Sequence, residues 1–452
     1  MNTTVVTAGK FDRAHIAGHA RAIVRLGGPI LVNNLSVAGM AFADTVMAGQ
    51  LGATDLAGLA VGVGYFNLFL FVGLGVFMSL SPAVAHAFGA NDVRAVTRYV
   101  QQSWWLCLVL ALLLFAGARQ AHWILPMIGI SADILPIAID YVNAMSWGLP
   151  GLLGFFALRF ASEGLGHTRP IMYIAFGSLL LNIFGNWVFM YGKFGMPELR
   201  AVVCGVATAI GYWAMCVSML VYVSRHRQYR GFEFFHNLEK PDVRVIAELL
   251  RLGVPVAGSV LAEGGLFAAA ALLMGVMGAV TTSAHQIALN YAAFMFMVPL
   301  AVSSATTIHV GHLRGAGSLQ ARQAAVTGIG ICVVVMMVSA LAIVALNDRI
   351  ATLYTHDLEV RKLAATLLLF AAIFQVSDGL QVGLAGALRG FKDTAVPMAL
   401  CVVSYWVVGF PMAYVFGVRQ GLGPSYVWGG LIAGLSVAAV LLLIRFRSVS
   451  RR

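Results

Sequence analysis

Arg25-Leu26-Gly27-Gly28-Pro29 recurs as Arg251-Leu252-Gly253-Val254-Pro255, displaced by half of the 452-residue chain. The same displacement carries Gly39, Gly49 and Gly52 onto Gly265, Gly275 and Gly278, and Tyr65 onto Tyr291. Further along, His86-Ala87-Phe88-Gly89-Ala90 falls on His312-Leu313-Arg314-Gly315-Ala316, and Gly164 with Thr168 falls on Gly390 with Thr394. A single offset held without a gap over this distance marks an internal duplication. The joint is the polar stretch from Ser224 to Asp242, the densest in the chain, which reads as a cytoplasmic linker. The expected division is therefore residues 1–223, the linker 224–242, and residues 243–452.

Composition says what is duplicated. Apolar residues make up 60% of the chain and charged residues only 10%, against about 45–50% and about 25% in soluble domains. A water-soluble core of this size needs a charged skin that is missing here, and disorder, coiled coil and collagen are excluded by the same figures. A spanning helix needs about 20 apolar residues. Twelve such runs can be counted, beginning near Ala22, Asp55, Thr97, Pro136, Pro170, Leu199, Asp242, Val280, Ala321, Tyr354, Thr394 and Leu422. The second carries Gly58, Gly62, Gly64, Gly73 and Gly75, small residues that let helices approach closely in lipid. The fold expected is an all-α integral membrane protein with twelve transmembrane helices in two parallel-repeat six-helix lobes. Six crossings per lobe is even, so both lobes enter from one side, as in several secondary transporters that work by alternating access at the cleft between halves. A channel or an intramembrane enzyme could also use a duplicated bundle.

The formal charge of +11 does not imply nucleic acid, because the basic residues sit in short segments between apolar runs, as at a membrane face. Placing both termini in the cytoplasm assigns most Lys and Arg residues to the inner side, in keeping with positive-inside bias. Cys107, Cys204, Cys216, Cys332 and Cys401 all lie in apolar runs without CxxC spacing, so neither a disulfide frame nor a zinc site is indicated. The amino terminus shows no early apolar core, and no cleaved signal peptide is expected.

Polar groups inside apolar helix are where chemistry is expected. Asp44, Glu263 and Asp378 each interrupt such a run; a carboxylate there must be protonated, paired or bound to a cation, and all three options suit ion coupling. Glu263 and Asp378 lie near the middle of their helices and can share one mid-membrane site. The repeat offset places Asp44 about two turns nearer the outside, in a separate site of the amino-terminal half. Asn33 lies close to three turns before Asp44 on one helical face, and Asn182 and Asn186, four apart, can line the same cavity. Gln375, Ser377 and Gln381 surround Asp378 at helical spacing. Arg159 and Glu163, also four apart, read as an ordinary salt bridge near a cytoplasmic helix end. For the carboxylates and asparagines the alternative is structural hydrogen bonding between helices. The absence of HExxH, G-x-S-x-G and Walker A patterns speaks against an enzyme or direct ATP use.

Phe42-Ala43-Asp44-Thr45-Val46-Met47-Ala48-Gly49, Ala284-His285-Gln286-Ile287-Ala288-Leu289-Asn290 and Gly386-Ala387-Leu388-Arg389-Gly390-Phe391-Lys392-Asp393-Thr394 resemble multidrug and toxic compound extrusion (MATE) transporters. The stretch Tyr191 to Leu199, followed by Cys204 to Ile210, is similar to the NorM-like branch. The resemblance implies a secondary active exporter of cationic amphipathic drugs and dyes, monomeric, embedded in the lipid of a bacterial inner membrane. Inward Na+ or H+ flow would drive it, without a cofactor. Glu263 and Asp378 match the positions where Na+ is proposed to bind, and Asp44, Asn182 and Asn186 match the other lobe's cavity. One departure is Phe374, where relatives with a sodium site can carry a tyrosine. A major-facilitator carrier is disfavoured because Phe88-Gly89-Ala90-Asn91-Asp92-Val93-Arg94 lacks that group's loop motif. A lipid-linked oligosaccharide flippase of related architecture remains the alternative.

Overall fold

The computed structural model describes residues 13–50, 52–190, 202–235 and 237–451, and every regular element in them is helical. The first half of the repeat holds α1 (Arg13–Gly49), α2 (Ala53–Met78) and its continuation α3 (Leu80–Gly89), α4 (Val93–Ala118) and the short α5 (Ala121–Met127). The pair α6 (Leu135–Ser146) and α7 (Leu149–Gly164) follows, then α8 (Arg169–Met190) and α9 (Val202–Arg225). The second half holds α10 (Val243–Val276), α11 (Ala279–Gly315), α12 (Ala321–Tyr354), α13 (Leu358–Gly390), α14 (Ala395–Val403), α15 (Phe410–Met412) and α16 (Pro424–Val449). Turns of π-helix at Ser404–Gly409 and Ala413–Arg419 make one span of α14 and α15. Among the described residues, 11 helices are long and apolar enough to cross a bilayer, or up to 12 with one bent pair.

That pair is the expected fourth crossing. It bends by 47° where Ser146 ends one segment and Pro150, with no N–H to give, stands in the first turn of the next. Helix α1 begins at Arg13, well before the expected Ala22, because hydropathy marks where lipid begins and not where helical geometry does. Tyr354, the expected start of the tenth crossing, instead ends α12. Asp357 then caps α13, its carboxylate accepting from the N–H groups of Glu359 (2.9 Å) and Val360 (3.3 Å). The Tyr191 to Leu199 stretch lies outside the described residues.

The duplication is written in the backbone. Gly52 (φ 135°) and Gly278 (φ 108°) precede α2 and α11 at equivalent positions. Asn91 (57°) pairs with Gly317 (67°), and Gly166 (80°) with Lys392 (59°). Each of these four left-handed residues closes a helix so that the next N–H returns to a carbonyl of the last turn. Asp92 bonds Ala87 at 2.9 Å and Ser318 bonds Leu313 at 2.8 Å; His167 bonds Ser162 at 2.8 Å and Asp393 bonds Leu388 at 3.0 Å. The sequence repeat is thus a repeat of helix endings.

By packing, the described residues form two compact units, one within Pro29–Ala262 and the other within Met1–Gly28 and Glu263–Arg452. In the first, the opening half of α10 lies hard against α2: a Cβ on Gly75 would strike Ala257 backbone, and one on Gly253 would stand 2.8 Å from Val76 Cα. In the second, the opening half of α1 lies on α11, with Ile23 buried among Val302, Ala305 and Cys332 and the His19 and His309 rings hydrogen-bonded at 3.0 Å. Packing limits therefore fall inside α1 and α10, whereas repeat limits fall in the linker.

The linker is held by α4. Gln101 donates to the Glu233 carbonyl (2.7 Å) and accepts from Glu239 N–H (3.0 Å); Gln102 donates to the Lys240 carbonyl (3.0 Å) and accepts from Asp242 N–H (2.8 Å). Both amides are buried, and Trp105 adds a bond to the Glu239 carbonyl at 3.0 Å. Tyr229 tucks in beneath α7, donating to Ser162 at 3.1 Å; burial pushes its phenol up to about 12, so it keeps its proton. At the start of α10 the Arg244 N–H and the Arg98 guanidinium hold the Asp242 carboxyl below the usual range.

Two outcomes are expected. Gly75→Ala should destabilise the protein by about 1–3 kcal/mol or more, since backbone cannot yield as a side chain would; a thermal melt in detergent reads this, and an unchanged midpoint would contradict the close approach. Gln101→Leu with Gln102→Leu should speed hydrogen exchange of the Glu239 and Asp242 backbone amides in folded protein. In the wild type their protection, taken relative to the intrinsic exchange rate at each pH, should be flat from about pH 8 to about pH 5. A depressed carboxyl keeps its stabilisation above the ordinary Asp pKa of about 3.9 and loses it only as pH falls through the lower folded value.

Candidate functional site

Asp44 sits on α1 in the first unit, buried, and its carboxylate is bound from two other helices. Asn186 of α8 donates its amide N–H to Oδ1 at 2.6 Å, and Thr208 of α9 donates its hydroxyl to Oδ2 at 2.8 Å. Asn182, one turn before Asn186, donates to the Thr208 hydroxyl at 2.9 Å and accepts from Asn186 at 3.4 Å. Tyr141, Tyr212 and Cys204 complete the surroundings. Short bonds to an ionised acceptor are the strong kind, yet every hydrogen-bond donor given to this carboxylate is neutral. The Asn186 carbonyl oxygen, buried, has no hydrogen-bond partner and adds an acceptor beside the acid. Such a site can take one positive charge.

The second unit brings Glu263 of α10 and Asp378 of α13 within electrostatic reach of one another. Asp378 is buried and its Oδ1 has no hydrogen-bond partner; Glu263 is half-buried and faces the charge of Arg389. Gln375, one turn before Asp378, is buried with both amide atoms unpartnered, and Gln381, one turn after, leaves its carbonyl oxygen unpartnered. Ser377 instead bonds Ser436 at 2.8 Å. Phe374 packs edge-on to Phe267 and Trp428, with ring centroids 5.8 and 5.7 Å away. The hydroxyl near the acids belongs to Tyr405, buried in the π-helical turn after α14 and within the electrostatic range of both Glu263 and Asp378. Among the described residues no three His, Cys, Asp or Glu side chains gather as metal ligands. A monovalent cation at Glu263 and Asp378 would have to draw on amide and phenol oxygens.

Asn33 does not join Asp44. The hydrogen-bond network turns its amide oxygen to Arg159 of α7, at 3.0 and 3.2 Å from the guanidinium. Arg159 also donates to Asn34 at 3.2 Å and to Glu163 at 2.7 Å, and both members of this ion pair are buried. Thr208 and Tyr405 were not singled out from sequence. The signal for Thr208 was a hydroxyl in the apolar run after Cys204; for Tyr405 there was none, because only the fold places it. Thr208→Val should cost about 1–3 kcal/mol, as it leaves Asp44 and Asn182 each short of a partner, whereas Thr208→Ser should stay near wild type. Thermal unfolding in detergent distinguishes these, and equal melts for Val and Ser would contradict the geometry.

The MatE family profile matches residues 29–188 and 255–415. The chain is 41% identical over 437 residues to a probable multidrug resistance protein NorM of Xanthomonas campestris pv. campestris, covering 96% of this chain and 95% of that one. It is 40% identical over 447 residues to a probable multidrug resistance protein NorM of Idiomarina loihiensis, with the same shares covered. The fold is similar to a crystal structure of MATE in the bent conformation, with TM-score 0.87 at 19% identity, covering 97% of this chain and 98% of that one. With a matching family profile over most of its length and relatives this similar, the chain is a multi-pass membrane transporter, not an enzyme, and belongs to the NorM-like branch of the MATE family.

Proposed function

We propose that the protein is a secondary active multidrug exporter: a Na+ or H+ antiporter that extrudes cationic amphipathic compounds by alternating access. It would act as a monomer in a bacterial inner membrane, with both termini in the cytoplasm. The names of its NorM relatives, probable multidrug resistance proteins, support the drug assignment. The single observation that carries the mechanism is the Asp44 carboxylate, buried and hydrogen-bonded by neutral donors.

The energetics follow from that charge. An ionised acid in a low-dielectric site gains from any cation that reaches it, whether proton, Na+ or a drug's ammonium group. Two cations at once would leave one uncompensated, so they exclude each other. Asp44, with Asn182 and Asn186, takes drug and coupling ion in turn; Glu263 and Asp378, with Gln375 and Gln381, hold a further coupling ion. Asn33 acts from behind, through Arg159. Opposed fluxes are coupled if neither the empty nor the doubly loaded protein changes state readily. Phe374 contributes no oxygen, and Tyr405 supports a hydroxyl ligand at the same acids.

Purified protein in liposomes, loaded with a fluorescent cationic dye at clamped voltage, tests the proposal under separate sodium and proton gradients. Dye flux driven by one of them is expected, and Asp378→Asn should abolish coupled flux while the protein still inserts. Undiminished flux in Asp378→Asn would remove that residue from the ion path. No dye flux under either gradient would overturn the antiport reading.

A further inference from the structure

We propose that Arg159 is a positioning residue for the Asp44 site: its buried guanidinium clamps α1 through Asn33 and Asn34 and so sets which side chain of α1 faces α8 and α9. The inference rests on reading Asp44 as a cation-binding group, and deepens it. Helix α1 enters its unit at Pro29, where the missing N–H removes one rung of the helix ladder. One turn later, Asn33 and Asn34 both bond the Arg159 guanidinium, at 3.0 to 3.2 Å. Glu163, one turn after Arg159 on α7, balances the charge at 2.7 Å, and the Phe160 ring lies 5.1 Å from the guanidinium carbon. Asn33, Arg159 and Glu163 are buried and Asn34 is half-buried, and α7 is buried along almost its whole length.

Geometry makes the clamp directional. A guanidinium is a planar fork whose donors point in fixed directions, so three acceptors on two helices fix rotation as well as distance. A helix turns by about 100° per residue; a slip of one residue at Asn33 would swing Asp44, three turns along the same rigid helix, away from Asn186 and Thr208. The clamp is particular to this unit. At the repeat offset Ala385 stands for Arg159 and Arg389 for Glu163, while Ser259 and Val260 stand for the two asparagines. The other unit's acids are placed without it.

The test uses spin labels at Phe42 on α1 and Ile183 on α8, both exposed, in full-length protein whose five native cysteines are all buried. Asn33→Leu with Asn34→Leu should broaden the distance distribution. It should also raise the dissociation constant of a fluorescent cationic dye at least tenfold, with the number of binding sites unchanged. Asn33→Asp with Glu163→Gln moves the negative charge from α7 to α1 but keeps the clamp, and should restore both. If the leucine pair does not insert, Asn34→Leu alone should give the same changes at smaller size. Unchanged distances and affinity in the leucine variant, or a charge-relocated variant as impaired as it, would overturn the clamp. Asp44→Asn separates the two ideas: if it binds dye as the wild type does, the reading of Asp44 fails, while the distances still report on Arg159.

Discussion

A carboxylate inside a lipid-embedded helix bundle is the constraint on which the rest depends. Its desolvation costs several kcal/mol unless hydrogen bonds, a counter-ion or a proton replace lost water. Around Asp44 the replacement is partial: an amide and a hydroxyl solvate the charge without neutralising it. The acid is thus held in place and left hungry for a cation. Elsewhere in the same unit the opposite solution appears, with Arg159 and Glu163 closed on each other and on two asparagines. One buried charge is paired and structural; the other is solvated by neutral groups and available.

Close helix packing serves this contrast. The Gly75 and Gly253 contacts bring backbone to backbone, which in lipid supplies the association energy that hydrophobicity supplies in water. With helices fixed so tightly, side chains such as Asn182, Asn186 and Thr208 converge on one carboxylate. Order continues into the linker, whose backbone is held by the buried amides of Gln101 and Gln102.

Much of this was legible beforehand, for identifiable reasons. Helix positions follow from hydropathy, and the duplication from glycines and polar turns whose backbone angles recur in pairs. The i,i+4 spacing of Asn182 and Asn186 correctly places them on one face, and Asp44 meets them. What spacing does not encode is which neighbour a face meets. Asn33 shares a helical face with Asp44, yet α7 lies beside it and a guanidinium there takes its amide. The pair Arg159 and Glu163 is present as read, near the end of its helix, with both members buried. Tyr405 depends on π-helical turns, which rotate the side chains that follow and leave no periodic signal.

The central claim is that dye and coupling ion compete for the same buried negative charge. It is tested most directly by counting ions during equilibrium binding: purified protein, weakly buffered with a pH indicator and a sodium-sensitive probe, is titrated with a cationic dye. The account predicts release of close to one proton or sodium ion per dye bound, lost in Asp44→Asn. Dye binding that releases neither ion from the wild type would contradict it.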